Sequence, residues 1–415
     1  MYENLIEEAV TDENVTRALR AVIRNGGAPG IDKMPVGQLE RQVREHWESL
    51  KGKLIEGKYT PSPVKRVEIP KAGGGTRLLG IPTVMDRFVQ QLLLQVLGPI
   101  FESTFSEYSY GYRPGRSAHD AVKQSQKYVR EGKSWVVDFD ISKFFDTMHH
   151  DILMRRIGCT IRDKRVLRLI GRYLRAGVMV HGVCVETEQG APQGGPLSPL
   201  LANIYLTPLD EELEKRGLSF SRYADDCNIH VGSARSAERV FESIAAWIRE
   251  YLRLELNQEK SGSGRPWDRK FLGFRILETG EIAVAPANIQ RLQTKVRTLW
   301  DARRSGTSLE LRNRWQRFVK GWWNYFRLAG ARREITDLDS WIRRHMRKCF
   351  WLRWHSSRGR QRAFRRLGVP ARQAKVARSS RGAWRISRHP AMHMALSNER
   401  LRQYGFLVFQ DLAAE

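Results

Sequence analysis

Ser134-Trp135-Val136-Val137-Asp138-Phe139-Asp140-Ile141 and, further along the chain, Tyr223-Ala224-Asp225-Asp226 are the two stretches on which the fold turns. In the first, apolar and polar residues alternate with the period of two that marks a half-buried strand. Trp135, Val137, Phe139 and Ile141 therefore share one face, and Asp138 and Asp140 point to the other. The second stretch sits between two strand-like runs, Leu218 to Arg222 and Cys227 to Val231, and reads as the turn of a hairpin. Adjacent like-charged carboxylates at a turn repel one another unless a cation neutralises them. Taken alone, Asp225-Asp226 fits a solvated turn as well as a metal site. If the strands are neighbours in one sheet, Asp140 meets Asp225 and Asp226, and hard oxygen ligands converge as two divalent ions about 4 Å apart require for nucleotidyl transfer.

Upstream, Val64 to Pro70 and Thr76 to Ile81 read as a β-hairpin whose tip, Lys71-Ala72-Gly73-Gly74-Gly75, is basic and glycine-rich. The first 60 residues read as short amphipathic helices interrupted by the loop Asn25 to Gly30, and helical periodicity runs from Val84 to Leu97 ahead of the loop Tyr110-Gly111-Tyr112-Arg113-Pro114-Gly115-Arg116. Downstream, helices are expected over 147–176, 198–216, 289–305, 308–328 and 334 to about 355. In the last of these, Leu338, Trp341, Ile342, His345, Cys349 and Leu352 form an apolar stripe, which turns Arg343, Arg344, Arg347 and Lys348 outward as a phosphate-facing side.

The chain has 415 residues, of which 41% are hydrophobic, enough for a sizeable core and for two to four domains. The formal net charge is +26, and residues 291–390 hold 28 Lys/Arg against 5 Asp/Glu. Residues 341–390 hold sixteen Lys/Arg and no acid, interleaved with Trp341, Phe350, Trp351, Trp354, Phe364 and Trp384. A solvated helix face normally mixes both signs, so this composition points to nucleic acid. The start of the chain lacks a signal-peptide pattern and no long uncharged apolar stretch occurs, so a cytoplasmic location with no membrane partner is expected. Cys159, Cys184, Cys227 and Cys349 are widely spread and read as reduced thiols.

Several further motifs complete an ordered series: Ile69-Pro70-Lys71 with Arg77 to Pro82, Asp140-Ile141-Ser142-Lys143-Phe144-Phe145-Asp146, Pro192 to Pro199, Tyr223 to Asp226, Leu256 to Ser261, and Phe271-Leu272-Gly273-Phe274. This series closely resembles the reverse transcriptases encoded by bacterial group II introns over nearly the whole chain. Gly321-Trp322-Trp323-Asn324-Tyr325-Phe326 is similar to that family's maturase signature, and the length, with no cysteine-paired endonuclease region, is most like the class C branch.

The resemblance implies an α+β right-hand polymerase with an antiparallel sheet carrying the aspartates. Its parts would be an N-terminal extension over 1–60, fingers over 61–134, palm over 135–285, a helical thumb over 286–360 and a basic DNA-binding module over 361–415. It implies that Asp140, Asp225 and Asp226, with Ile141 beside them, hold two Mg2+ ions, for which Mn2+ can substitute. Phe145 matches the aromatic that excludes a 2′-hydroxyl, with a core aromatic as the alternative. Lys71 and Arg77 match the cations that clamp a triphosphate, and Gln193 matches a nucleotide-positioning residue, against a solvated hairpin and a plain turn. Lys260 matches a lysine that protonates departing pyrophosphate, or is a surface lysine. Arg113 and Arg116 match a template-contacting loop, or pack against a neighbouring carboxylate. The implied partners are an RNA template with a DNA or RNA primer, deoxynucleoside triphosphates, group II intron RNA and target DNA. A maturase acting mainly by binding RNA, and a polymerase used in host defence or repair, are the alternatives.

Overall fold

Strand β3 (Trp135–Phe139) is the axis of the main antiparallel sheet, because partners pair with both of its edges. In the computed structural model, which describes residues 2–70, 76–180, 183–185, 189–191, 194–330 and 333–414, the chain is α+β. The ten strands among the described residues are β1 (Val64–Pro70), β2 (Thr76–Ile81), β3, β4 (Val178–Val180), β5 (Val183–Val185), β6 (Ser219–Tyr223), β7 (Asp226–Val231), β8 (Gly262–Gly264), β9 (Phe274–Ile276) and β10 (Ile282–Val284).

One sheet has the order β6-β7-β3-β8 and is antiparallel throughout, with Phe139 opposite Cys227 and Asp138 opposite both Asn228 and Gly262. The period-two expectation holds on one face: Val137, Phe139, Phe220 and Ile229 are buried in the main core, where Phe139 stacks on Phe241 of the helix Ala234–Trp247 at 5.4 Å. The other face is divided. Near one end the helix Ala118–Arg130 covers Val136, Ser221 and His230, with Ser221 donating to Ala121 O and Tyr128 packing on His230. The row Asp138, Asp140 and Asp226 lies toward the opposite end of that face.

A second sheet, β2-β1-β4-β5, is built on the expected hairpin, whose strands begin and end where the sequence places them. β4 joins β1 in parallel, with Val64 opposite Val178.

The chain divides into a unit of Met1–Leu272 and a unit of Gly273–Glu415. The division differs from the expected boundary at 285/286, because the β9–β10 hairpin belongs to the C-terminal unit. Segment 361–415 also does not stand apart. Phe364, Ile386, Leu401, Phe406 and Phe409 share one apolar cluster with Leu292, Trp300, Trp315, Ile342 and Trp351, and Trp315 Nε1 donates to Leu407 O at 2.6 Å. The apolar residues between the basic ones complete the core beneath the long helices Pro286–Leu299, Ser308–Phe326 and Arg333–Arg353. The second of these starts at a capping box, Thr307 Oγ1 accepting from Glu310 N and Thr307 N donating to Glu310 Oε2, which contributes about 1 kcal/mol.

No described helix is long and apolar enough to cross a membrane. Cys159, Cys227 and Cys349 are free thiols, and Cys184 lies in β5.

Candidate active site

Asp140 directly follows β3, and its backbone is fixed on both sides. Asp140 N donates to Ser261 Oγ at 2.9 Å, Asn257 N donates to Asp140 O at 2.8 Å, and Ser142 N donates to Glu255 O at 2.8 Å. Ile141 forms an isolated bridge with Leu256 and is buried. The segment Leu256 to Ser261 thus clamps Asp140, and it also brings Lys260 Nζ to 3.5 Å from Asp140 Oδ2. The Lys260 side chain is 63% exposed, so this ion pair by itself contributes little to stability.

Across the sheet, continuing the register Phe139↔Cys227 by one residue places Asp140 beside Asp226. The hairpin turns at Ala224-Asp225, with Ala224 at φ 57, left-handed backbone that a non-glycine residue adopts at a cost. Arg222 holds that turn from beneath. It is fully buried; Nε and Nη2 donate to the two oxygens of Asp210 at 2.6 and 2.5 Å, and Nη1 donates to Ala224 O at 2.9 Å and to Asn203 Oδ1 at 3.2 Å. Asn203 in turn donates to Gly111 O at 2.8 Å. Gly111 lies so close to the turn that a Cβ there would collide with Ala224 N, so glycine is required.

The electrostatics follow from this crowding. Burial and then the charge of Asp226 push Asp138 up to about 7. Asp226 is pushed up to about 6: its residue surface is open to solvent, but the carboxyl itself is dehydrated in the crowded sheet end and faces Asp225 and Asp140. No three side chains of His, Cys, Asp or Glu among the described residues are close enough together to form a metal cage. The site presents hard oxygen donors that repel one another, and that donor chemistry fits a divalent cation.

Of the other expected residues, Lys71 and Gln193 lie outside the described residues, and of Arg77 only the backbone in β2 is described, opposite Ile69. The loop after Gln193 is built against the hairpin. At Gly194 a Cβ would stand 2.8 Å from Gly80 O of β2, and at Gly195 it would overlap Gln90. Phe145 is 8% exposed in the main core and packs edge-on against Phe144 at 5.2 Å, and its carbonyl accepts from Ala191 N at 2.7 Å. Both aromatics are therefore held in the core, with Phe145 next to the segment that leads to Gln193.

Two expectations about arginines need correction. Arg113 is buried and pairs with Glu102 at 2.8 Å while donating to Ser109 O, so its charge is used inside the fold, as the alternative had it; Arg116 donates to Glu107 O at 2.5 Å and lies over the Tyr110 ring. On the helix Arg333–Arg353, Arg343 and Arg347 are buried rather than outward, Arg344 is half-buried on the Trp384 ring at 3.6 Å, and Lys348 is half-buried. Arg343 pairs with Asp411 at 3.2 Å, and Arg347 donates to Leu396 O and Asn398 Oδ1. The cause is that residues 383–413 pack over the face that was read as phosphate-facing. Sequence reading passed over Arg222, Asp210 and Asn203; the signal was present in Asn203 and Asp210, polar residues on the otherwise apolar stretch of the helix Ser198–Lys215.

Residues 69–276 match the family described as reverse transcriptase (RNA-dependent DNA polymerase). The chain belongs to that family. Residues 289–368 of this reverse transcriptase match the group II intron, maturase-specific domain. It is 32% identical to Protein YkfC of Escherichia coli (strain K12) over 316 residues, 66% of this chain and 83% of that protein. It is 37% identical to the group II intron-encoded protein LtrA of Lactococcus lactis subsp. cremoris over 193 residues, 46% of this chain and 31% of that protein. To a 91 kDa protein in a cob intron of Schizosaccharomyces pombe it is 37% identical over 184 residues, 44% of this chain and 22% of that one. It thus spans under a third of the length of LtrA and of the cob-intron protein. Enzymes of this family use divalent metal ions.

Proposed function

We propose that this reverse transcriptase copies an RNA template into DNA from a DNA or RNA primer with deoxynucleoside triphosphates. In this reading the first unit divides into fingers and an antiparallel palm, and the second serves as thumb and DNA-binding module. The observation that carries it is the register that sets Asp140 beside Asp226 at the end of a sheet whose neighbouring hairpin turn holds Asp225. Asp140, Asp225 and Asp226, with the Ile141 carbonyl, would hold two Mg2+ ions, or Mn2+ in their place. Bound there, the ions supply activation of the primer hydroxyl and charge neutralisation on the triphosphate.

The chain's own residues do the rest. Ser261 and Asn257 keep Asp140 in place through its backbone. Lys260, whose Nζ is 3.5 Å from Asp140 Oδ2, would give a proton to the departing pyrophosphate. Lys71, Arg77 and Gln193 would bind the nucleotide, and Phe145 would close the space against a 2′-hydroxyl. The match of residues 289–368 to the maturase-specific domain supports a second role, binding group II intron RNA to assist its splicing before the intron is copied at target DNA.

Primer extension on an RNA template with and without magnesium tests the first role. The reading fails if wild-type protein makes no DNA or if Asp225→Asn extends as well as wild type. Phe145→Ala should raise ribonucleotide incorporation about tenfold relative to deoxynucleotides, and an unchanged ratio would make Phe145 a core residue only.

A further inference from the structure

The C-terminal unit contains a cavity of about 410 Å3 whose lining includes Arg343, Arg344, Arg347, Arg388, His393 and Asn398, with Asp337 as the one carboxylate. Four guanidiniums around one cavity repel each other unless something anionic lies between them. Three of them are held rigidly, but mostly by neutral groups. Arg344 donates to Ser387 Oγ and Trp384 O with its plane on the Trp384 ring, and Arg347 donates to Leu396 O and Asn398 Oδ1. Arg343 shares Asp411, yet its Nε is buried with no hydrogen-bond partner among the described residues. Arg388, by contrast, is exposed.

Burial first, and the neighbouring cations second, disfavour the charged forms of three groups around the cavity. Burial and then Arg343 lower Arg347 to about 10, burial and then Arg388 lower Arg344, and burial and then Arg347 lower His393. Guanidiniums held by hydrogen bonds to fixed acceptors cannot turn away, which is the preorganisation an oxyanion site needs.

We propose that this cavity is a phosphate-binding site that takes one phosphodiester of a bound nucleic-acid strand. Arg343, Arg344 and Arg347 form its fixed floor, and Arg388 is the cation that closes over the anion from the solvent side. This proposal rests on the reading that the chain handles nucleic acid, but its tests do not use DNA synthesis.

The variant Arg388→Gln removes the exposed cation without touching the buried ones, so it should melt with wild type in phosphate-free buffer. Arg385→Gln, an exposed residue of the same segment outside the cavity, controls for loss of general basic charge. In the first arm, inorganic phosphate is titrated at constant ionic strength while the melting temperature is followed. Wild type and Arg385→Gln should be stabilised and Arg388→Gln should not. In the second arm, binding of an RNA oligonucleotide is measured across a salt series. Arg388→Gln should weaken binding about tenfold and lower the log-log salt slope by about 0.7 to 0.9, with about twofold or less for Arg385→Gln.

Equal phosphate stabilisation of wild type and Arg388→Gln, or none in either, overturns the site. If Arg388→Gln loses the phosphate effect but keeps wild-type RNA affinity and slope, the site takes free phosphate and its assignment to a nucleic-acid strand is overturned. Primer extension by wild type, run in parallel, separates failure here from failure of the polymerase reading.

Discussion

Asp138, Asp140 and Asp226 at the end of the antiparallel sheet and Arg343, Arg344 and Arg347 in the C-terminal unit are both clusters of like charge, but the chain supports them differently. Burial and the neighbouring carboxylates raise the proton affinity of Asp138 and Asp226, and the cation near the cluster, Lys260, is mostly exposed. Each arginine is instead hydrogen-bonded inside the fold. The anionic cluster is thus set up for a ligand at the expense of stability, whereas the hydrogen bonds of Arg343, Arg344 and Arg347 contribute to stability even before an anion relieves their repulsion. Substitution in the two places should then move activity and stability in opposite ways.

The largest expected effect breaks the first cluster. Asp140→Asn should slow DNA synthesis at least about a thousandfold, some 4 kcal/mol of barrier, without lowering the melting temperature. A large drop in melting temperature would mean that Asp140 is a structural anion. Next comes Arg222, which lies under the catalytic turn but belongs with the satisfied arginines. Arg222→Met leaves Asp210 buried and unpaired and should cost about 3–5 kcal/mol in urea unfolding, much of it regained in Arg222→Met/Asp210→Leu. No recovery in the double variant would show that packing, rather than charge, dominates.

Arg347→Gln should cost less, about 1–3 kcal/mol, through lost bonds to Leu396 O and Asn398, and the loss should be seen in unfolding of the C-terminal unit. Unchanged stability would return this arginine to the role of a solvated cation.

The smallest effect is one of pH. A carboxyl whose folded pKa is raised binds more protons folded than unfolded, so its stability contribution falls as pH rises from about 4 through the folded values of about 6 and 7 for Asp226 and Asp138. Melting temperature without divalent cation should therefore decline over that window. Magnesium should flatten the decline, and Asp226→Asn should recover about 1 kcal/mol at pH 8, a figure kept small because Asp226 is exposed. A rise in stability with pH would reverse the comparison.

The elements with strict periodicity were legible in the sequence. β1 and β2 begin and end where alternation and the glycine tip place them, and the alternation in β3 assigns Val137 and Phe139 to the core. The helix Arg333–Arg353 shows the limit. Leu338, Ile342, His345 and Cys349 of the expected stripe are buried, but so are Arg343 and Arg347, while Leu352 is 38% exposed. Periodicity reports one apolar face and cannot register a second face covered by polar pairing, here with Asp411 and Asn398 from the last part of the chain. The same blindness hid Arg222: no local pattern announces that a cation beside the catalytic turn has its counter-ion on a helix ending before β6.

The central position of β3 also has a consequence for synthesis of the protein. Its partners β7 and β8 end at Val231 and Gly264, so a nascent chain that has just released Phe139 from the ribosome has neither neighbour available. β3 has unpaired edges on both sides until residue 231 has emerged and on one side until residue 264 has, and over that time it depends on the upstream helices for cover. At about 5–20 residues per second, that interval lasts roughly 6–25 seconds. A ribosome stalled within it would hold an aggregation-prone strand and no assembled carboxylate cluster, whereas a chain released through Leu272 would hold the complete N-terminal unit.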